Sequence, residues 1–245
     1  MVLVPDFNKL NVVEVYRIIN NIILMSLTLV QKTSEFAKKT LQGAEAGHDW
    51  AHTERVLRNA RLILAGESAN GEVVELAALL HDIADAKFHN GDEELGPRLA
   101  GDFLKMQGLD DKRTEHICNI IRHMSFKGGN ENSSWTSLEM EIVQDADRLD
   151  AIGAIGIARA FNYGGFKNRS LYNPEIAPNL TMSKEEYRKS DAPTLNHFYE
   201  KLFLLKDRMN TSTGKKMALD RHLFMQEFVN RFLAEWEGEL GKINN

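Results

Sequence analysis

Between residues 27 and 41 the apolar positions Leu29, Val30, Phe36 and Ala37 fall on one face of a helix, and Gly43 marks its end. Residues 48–66 repeat that period with Val56, Leu57, Ala60, Ile63 and Leu64. A helix is predicted over 71–88, where the run LAALL is apolar on every side. Residues 96–108 carry Leu99, Phe103 and Leu104, and 110–124 carry Ile117, Ile120 and Ile121, again at helical spacing. A long helix over 137–161 grows more apolar towards its end, and 194–209 and 216–239 read as two closing helices. The segments SFKGGNENSSWTS and NYGGFKNRSLYNPEIAPNLTM are polar or glycine-bearing and are predicted as loops. The length of the second loop suggests a role beyond connection. Alternation of the strand type persists nowhere, so the fold class expected is all-α.

The N-terminal segment breaks the pattern. VYRIINNIILMSLTLVQ is apolar but interrupted by Asn20 and Asn21, and its uncharged part, 18–30, is short of the roughly 20 residues that span a bilayer. It lacks the charge distribution and cleavage site of a signal peptide. Residues 1–24 are therefore expected to extend outside the core, with one domain over 25–245. A helix packed on the domain is the alternative.

Composition narrows the class further. The 245 residues are 43% hydrophobic and 27% charged, with a net charge of −5. That balance suits a globular protein and offers no basic surface for nucleic acid. Cys118 is the only cysteine, so no internal disulfide forms and a reducing cytoplasm is the simpler setting. No membrane association is expected.

Candidate chemistry sits where charge meets apolar helix. Asp82 follows His81 inside an apolar run, and a carboxylate there needs a compensating charge. A metal ion would satisfy both groups. GHDWAH adds His48, Asp49 and His52, with the two histidines one turn apart. QDADRLDAIGAIGIARAF adds Asp145, Asp147 and Asp150. Spacing alone leaves two readings open: a shared site, or separate core histidines and surface Asp–Arg pairs.

The succession His52, His81-Asp82, Asp147 resembles the H…HD…D signature of the HD-domain superfamily of metal-dependent phosphohydrolases. HTERV, LLHDIADAKF, IIRHMSF and QDADRLDAIGAIGIARAFNYGG together resemble its small single-domain bacterial members. NHFYEKLFLLKDRMNT and KKMALDRHLFMQEF extend the similarity, which runs over about 45–239. The resemblance implies an HD-type helical bundle in which His52, His81, Asp82 and Asp147 bind a divalent metal ion. Nitrogen and oxygen ligands without cysteine speak against a closed structural zinc site. Mn²⁺ or Mg²⁺ is favoured on family grounds, and Fe²⁺, Co²⁺, Ni²⁺ and Zn²⁺ stay open.

A bound cation would activate water and polarise a phosphoryl oxygen. Asp85, on the face of Asp82 and His81, is the general-base candidate, with a plain helix-end charge as the alternative. Lys87, Lys167 and Arg169 are candidate substrate contacts, the latter two beside Gly164 and Gly165, where glycine would admit a phosphate. His89, Lys206, Lys215 and Lys216 are further cations that phosphate would attract. His123 is a substrate contact by resemblance, and His48 a candidate second-layer partner that orients His52. The expected substrate is a small phosphorylated molecule, a nucleotide, with a triphosphate cleaved to monophosphate and pyrophosphate as first choice. A metal-bound regulatory module without turnover and a di-iron oxygenase are the other classes, and a homodimer stays open.

Overall fold

The computed structural model describes residues 27–44, 47–84, 91–124 and 135–239. The N-terminal segment 1–24, Asp85, Lys87 and His89 lie outside the described residues, as does most of the first predicted loop. The helices are α1 (Leu29–Thr40), α2 (Trp50–Leu64), α3 (Gly71–Leu80), α4 (Leu95–Met106), α5 (Asp111–Met124), α6 (Leu138–Asp150) and α7 (Gly153–Phe166). Short α8 (Lys184–Lys189), α9 (Asn196–Glu200) and a 3₁₀ turn (Leu202–Arg208) lead to the long α10 (Ser212–Trp236). No strand occurs among the described residues. The protein is all-α.

Local signals set the helix starts. The side chains of Asp49, Asn70, Ser137 and Thr211 each accept a backbone N–H from the first turn of α2, α3, α6 and α10. Thr28 and Gln31 form a reciprocal capping box on α1. Asp49, a candidate ligand by sequence, thus serves as a cap, and it places His52 in the first turn of α2.

The central element is α3. Its residues from Leu76 to Leu80 are fully buried, and it packs against α1, α2, α5 and α6 at once. That explains a sequence apolar on every side. The predicted helix over 71–88 ends early, at Leu80, with His81 as its cap and turns through Ala84. The end of a buried helix therefore delivers the His-Asp pair.

The predicted helix over 137–161 is two helices. Ala151 and Ile152 make tight i−3 hydrogen bonds to Arg148 and Leu149, and Gly153 takes φ +74°, where a side chain would strain the turn. A Cβ there would also lie 3.0 Å from the Arg221 side chain. Continuing through Phe166, α7 takes in Tyr163, Gly164 and Gly165, which the sequence assigned to a loop. Gly164 is a packing glycine: a Cβ would fall 2.1 Å from Thr194 Oγ1. The closing helix predicted over 194–209 divides into α9 and the 3₁₀ turn.

The C-terminal elements cover α7 with aromatic rings. Phe198 is fully buried, stacked on Phe228 at 5.9 Å and tilted against Phe161 at 6.0 Å. Asp145, fully buried, joins this layer to α6. Its carboxylate accepts from the N–H groups of Asn210 and Thr211 and from the Thr211 hydroxyl, all at 2.8–3.1 Å. It sits at the positive end of α10, and Gly214 leaves it room.

Two stability predictions follow from these contacts. Asp145→Ala strands buried donors and should lower unfolding stability by roughly 3 kcal/mol in urea, with the helical content of the native state unchanged. His197, hydrogen-bonded to Tyr187, is held neutral mainly by burial, with Lys201 and Arg169 adding, so its pKa falls from 6.5 to about 4. The fold therefore gains from neutral His197 above pH 6.5 and loses that gain as pH falls from 6.5 towards 4. Melting temperature should drop across that window, and His197→Gln should flatten the drop; an unchanged slope would count against this assignment.

Candidate metal centre

His52, His81 and Asp147 come together from the start of α2, the end of α3 and the last turn of α6. One donor atom from each lies within 4.8 Å of the other two. The Nδ1 of His81 lies 2.8 Å from the Ala78 carbonyl oxygen. A carbonyl only accepts, so Nδ1 carries the proton and Nε2 presents a lone pair. That Nε2 is buried and has no hydrogen-bond partner. A buried orphan lone pair is costly unless a cation or donor meets it.

His52 is oriented in the same sense. Its Nδ1 lies 2.8 Å from Asp150 Oδ2, and its Nε2 faces Asp147 at 3.5 Å and Asp82 at 4.0 Å. A carboxylate behind an imidazole fixes the tautomer and raises the basicity of the far nitrogen. Asp150 in turn accepts Arg55 Nε at 2.6 Å, Arg55 Nη2 at 3.0 Å and Arg159 Nη1 at 2.6 Å. Burial disfavours its charge, but the His52 and Arg55 hydrogen bonds and the nearby positive groups hold its pKa well below the usual carboxylate range.

Asp82 stands beside the cluster. Its Oδ2 is 2.5 Å from His48 Nδ1. Burial opposes its charge, yet His48, His81 and His52 bring its pKa down to about 2. The hydrogen bond of His48 thus reaches Asp82, whereas the expected role of orienting His52 belongs to Asp150. That residue was legible as one of three acids in DADRLD, but its partner was not. The signal is a matched spacing: His52 and Arg55 are three apart on α2, as are Asp147 and Asp150 on α6, so the two pairs meet in register.

The remaining candidates fall elsewhere. His123, at the end of α5, packs its ring 5.5 Å from Trp135 and is not one of the three clustered donors. Lys167 lies over the rings of Tyr163 and Phe166, and Arg169 over Tyr163, with its guanidinium also on the Ser190 carbonyl. These two therefore form a cationic and aromatic patch at the C-terminal end of α7. Lys206 pairs with Asp207 at 2.5 Å, and Lys215 and Lys216 are exposed on α10. A cavity of about 440 Å³ touches Asp150 and is also lined by Arg55, Gly153, Arg221 and Phe224, but by none of the three clustered donors.

The donor set fits a divalent first-row ion: two imidazole nitrogens, a carboxylate 44% exposed, and a second carboxylate, Asp82, within reach. Solvent access at Asp147 leaves room for further ligands. Asp150→Asn keeps the shape but weakens the support of His52, and metal affinity should fall about 10- to 100-fold by calorimetric titration. An unchanged affinity would mean that Asp150 serves packing alone.

Residues 49–152, which hold every residue of this cluster and its Asp150 support, match the HD domain model. The Bacillus subtilis protein YpgQ is 36% identical over 216 residues, covering 88% of this chain and 97% of its own length. A crystal structure of a Bacillus thuringiensis HD-superfamily hydrolase is 41% identical, with a TM-score of 0.70 over 86% of this chain and 97% of that one. The structure of YpgQ in complex with ADP is 34% identical, with a TM-score of 0.66 over 84% and 96% of the two chains. The cluster and these similarities agree: the chain belongs to the HD-domain superfamily of metal-dependent hydrolases.

Proposed function

We propose that the chain is a phosphohydrolase acting on nucleotides, cleaving a nucleoside triphosphate to monophosphate and pyrophosphate. The observation that carries the hydrolase reading is the buried, unpartnered Nε2 of His81 beside the carboxylate of Asp147. The nucleotide reading draws support from the ADP held by YpgQ. His52, His81, Asp82 and Asp147 would hold the ion, with Mn²⁺ or Mg²⁺ favoured. A divalent ion there supplies positive charge to a phosphoryl oxygen and acidifies water. The Nδ1 atoms of His52 and His81 are engaged by Asp150 and by the Ala78 carbonyl, so the Nε2 of each ring is the atom left to face the ion. The pair Asp82–His48 keeps its carboxylate ionised and fixed at the rim of the cluster. Asp85, three residues beyond Asp82, is proposed to take the proton from the attacking water. No helix among the described residues is long and apolar enough to cross a membrane, consistent with a proposed cytoplasmic enzyme on a small-molecule substrate.

The test combines metal removal with product analysis. Chelation should abolish hydrolysis of a nucleotide panel, and Mn²⁺ or Mg²⁺ should restore it. In ¹⁸O-labelled water the label should enter the nucleoside monophosphate. Label in orthophosphate would replace this reading by a phosphatase, and turnover that survives chelation would sink the metal-dependent mechanism.

A further inference from the structure

The cavity of about 440 Å³ is separate from the metal cluster. Asp150 on its wall takes the Nδ1 side of His52, whereas the cluster forms at Nε2, and none of His52, His81 and Asp147 lines it. The wall is built by α2, the start of α7 and α10, through Arg55, Arg58, Gly153, Ile155, Arg221 and Phe224. Its volume falls in the range of small-molecule sites. The proposed hydrolysis makes no use of it.

The charges on this wall do not balance. Three guanidinium groups stand against two carboxylates, Asp150 and Asp220. Asp150 already accepts from His52, Arg55 and Arg159. Arg58 meets Glu54 at 3.1 Å, an exposed pair along α2 that water screens. Arg221 has only neutral acceptors: its Nη1 donates to the Leu149 carbonyl at 2.5 Å and its Nη2 to Asn59 Oδ1 at 2.8 Å. It forms no ion pair among the described residues. Those two bonds hold the half-buried guanidinium in place, and Gly153 makes room for it, since a Cβ there would lie 3.0 Å from Arg221 Cγ. A fixed guanidinium without a counter-ion favours an anion, and its fork of donors matches phosphate oxygens. The first turn of α7 adds N–H groups that no capping side chain takes. The lip is different in kind. Phe224 is 49% exposed and Ile155 45%, so an aromatic face and an aliphatic one stand in water beside the arginines.

We propose that this cavity is a second ligand site, for a phosphate monoester that carries a flat ring and has the size of a mononucleotide. The phosphate lies on Arg55, Arg58 and Arg221, and the ring packs on Phe224. Binding there needs no metal ion and does not depend on the hydrolase reading.

Calorimetric titration with AMP and with inorganic phosphate, both in the presence of chelator, tests this. AMP should bind wild type about tenfold tighter than phosphate does, from the added ring contact. Arg221→Met should weaken both ligands about tenfold or more, and Arg58→Met about threefold, in line with lost charge-assisted hydrogen bonds at a half-buried and an exposed position. Phe224→Ala should weaken AMP about fivefold or more and leave phosphate within about twofold. Asp147→Asn, which disables the metal cluster, and Lys215→Met, which removes an exposed lysine of α10, should change neither ligand. Arg58 and Phe224 are exposed, so their variants decide the matter even if Arg221→Met fails to fold, which its melting temperature reports. No AMP binding under chelation would overturn the proposal, as would AMP binding no tighter than phosphate. Loss of AMP binding in Asp147→Asn would place the ligand at the metal cluster instead, and undiminished binding in both Arg58→Met and Phe224→Ala would remove it from this cavity.

Discussion

The carboxylate of Asp150 is the constraint on which the centre depends. It is almost wholly buried, and it accepts from His52 and Arg55 of α2 and from Arg159 of α7. Three donors on two other helices converge on one acid at the end of α6. Each charge alone would be expensive to bury; together they compensate one another and hold their helices in register. The direction of the His52 ring follows from this network, and with it the direction of the lone pair that faces His81 and Asp147.

The second element of the site is positioned by apolar packing instead. All the residues of α3 from Leu76 to Leu80 are shielded by four neighbouring helices, so this helix has little freedom to shift. Its C-terminal end then places His81, whose Nδ1 bonds back to Ala78 within the same turn. Two physical mechanisms thus converge on one cluster. Polar compensation aims His52, and a dry helix end aims His81. Asp147 comes from α6, which shares its surface with α2 and so ties the two together.

Acidic residues in one short stretch have divided their work. Asp145 turns to the start of α10, Asp147 to the cluster and Asp150 to His52 and the arginines. Their chemistry is the same, and only the direction in which the helix presents them differs. Asp145 is three residues from Arg148 and meets it at 3.4 Å, yet its shorter contacts are to the backbone of residues 210 and 211. Such long-range partners join the C-terminal helix to the centre of the fold.

Helix period was enough to read the all-α class and, to within about two residues, the starts of α2, α3 and α6, because period is a local property of the chain; α10 begins at Ser212, ahead of the predicted 216. The order His52, His81-Asp82, Asp147 pointed through resemblance to residues of which the fold gathers His52, His81 and Asp147 into one group, with Asp82 beside it, since the donor types are written in the sequence. Helix ends were less legible. The break at Gly153 depends on Arg221 packing against it, and Gly164 sits in a helix because Thr194 fills the space a side chain would need. The partners of equivalent groups were not legible either. Nothing local says that His48 turns to Asp82 or that Asp150 supports His52 across 98 residues. Residue type and period are decided along the chain, but pairing depends on distance and desolvation, which exist only once the helices have packed.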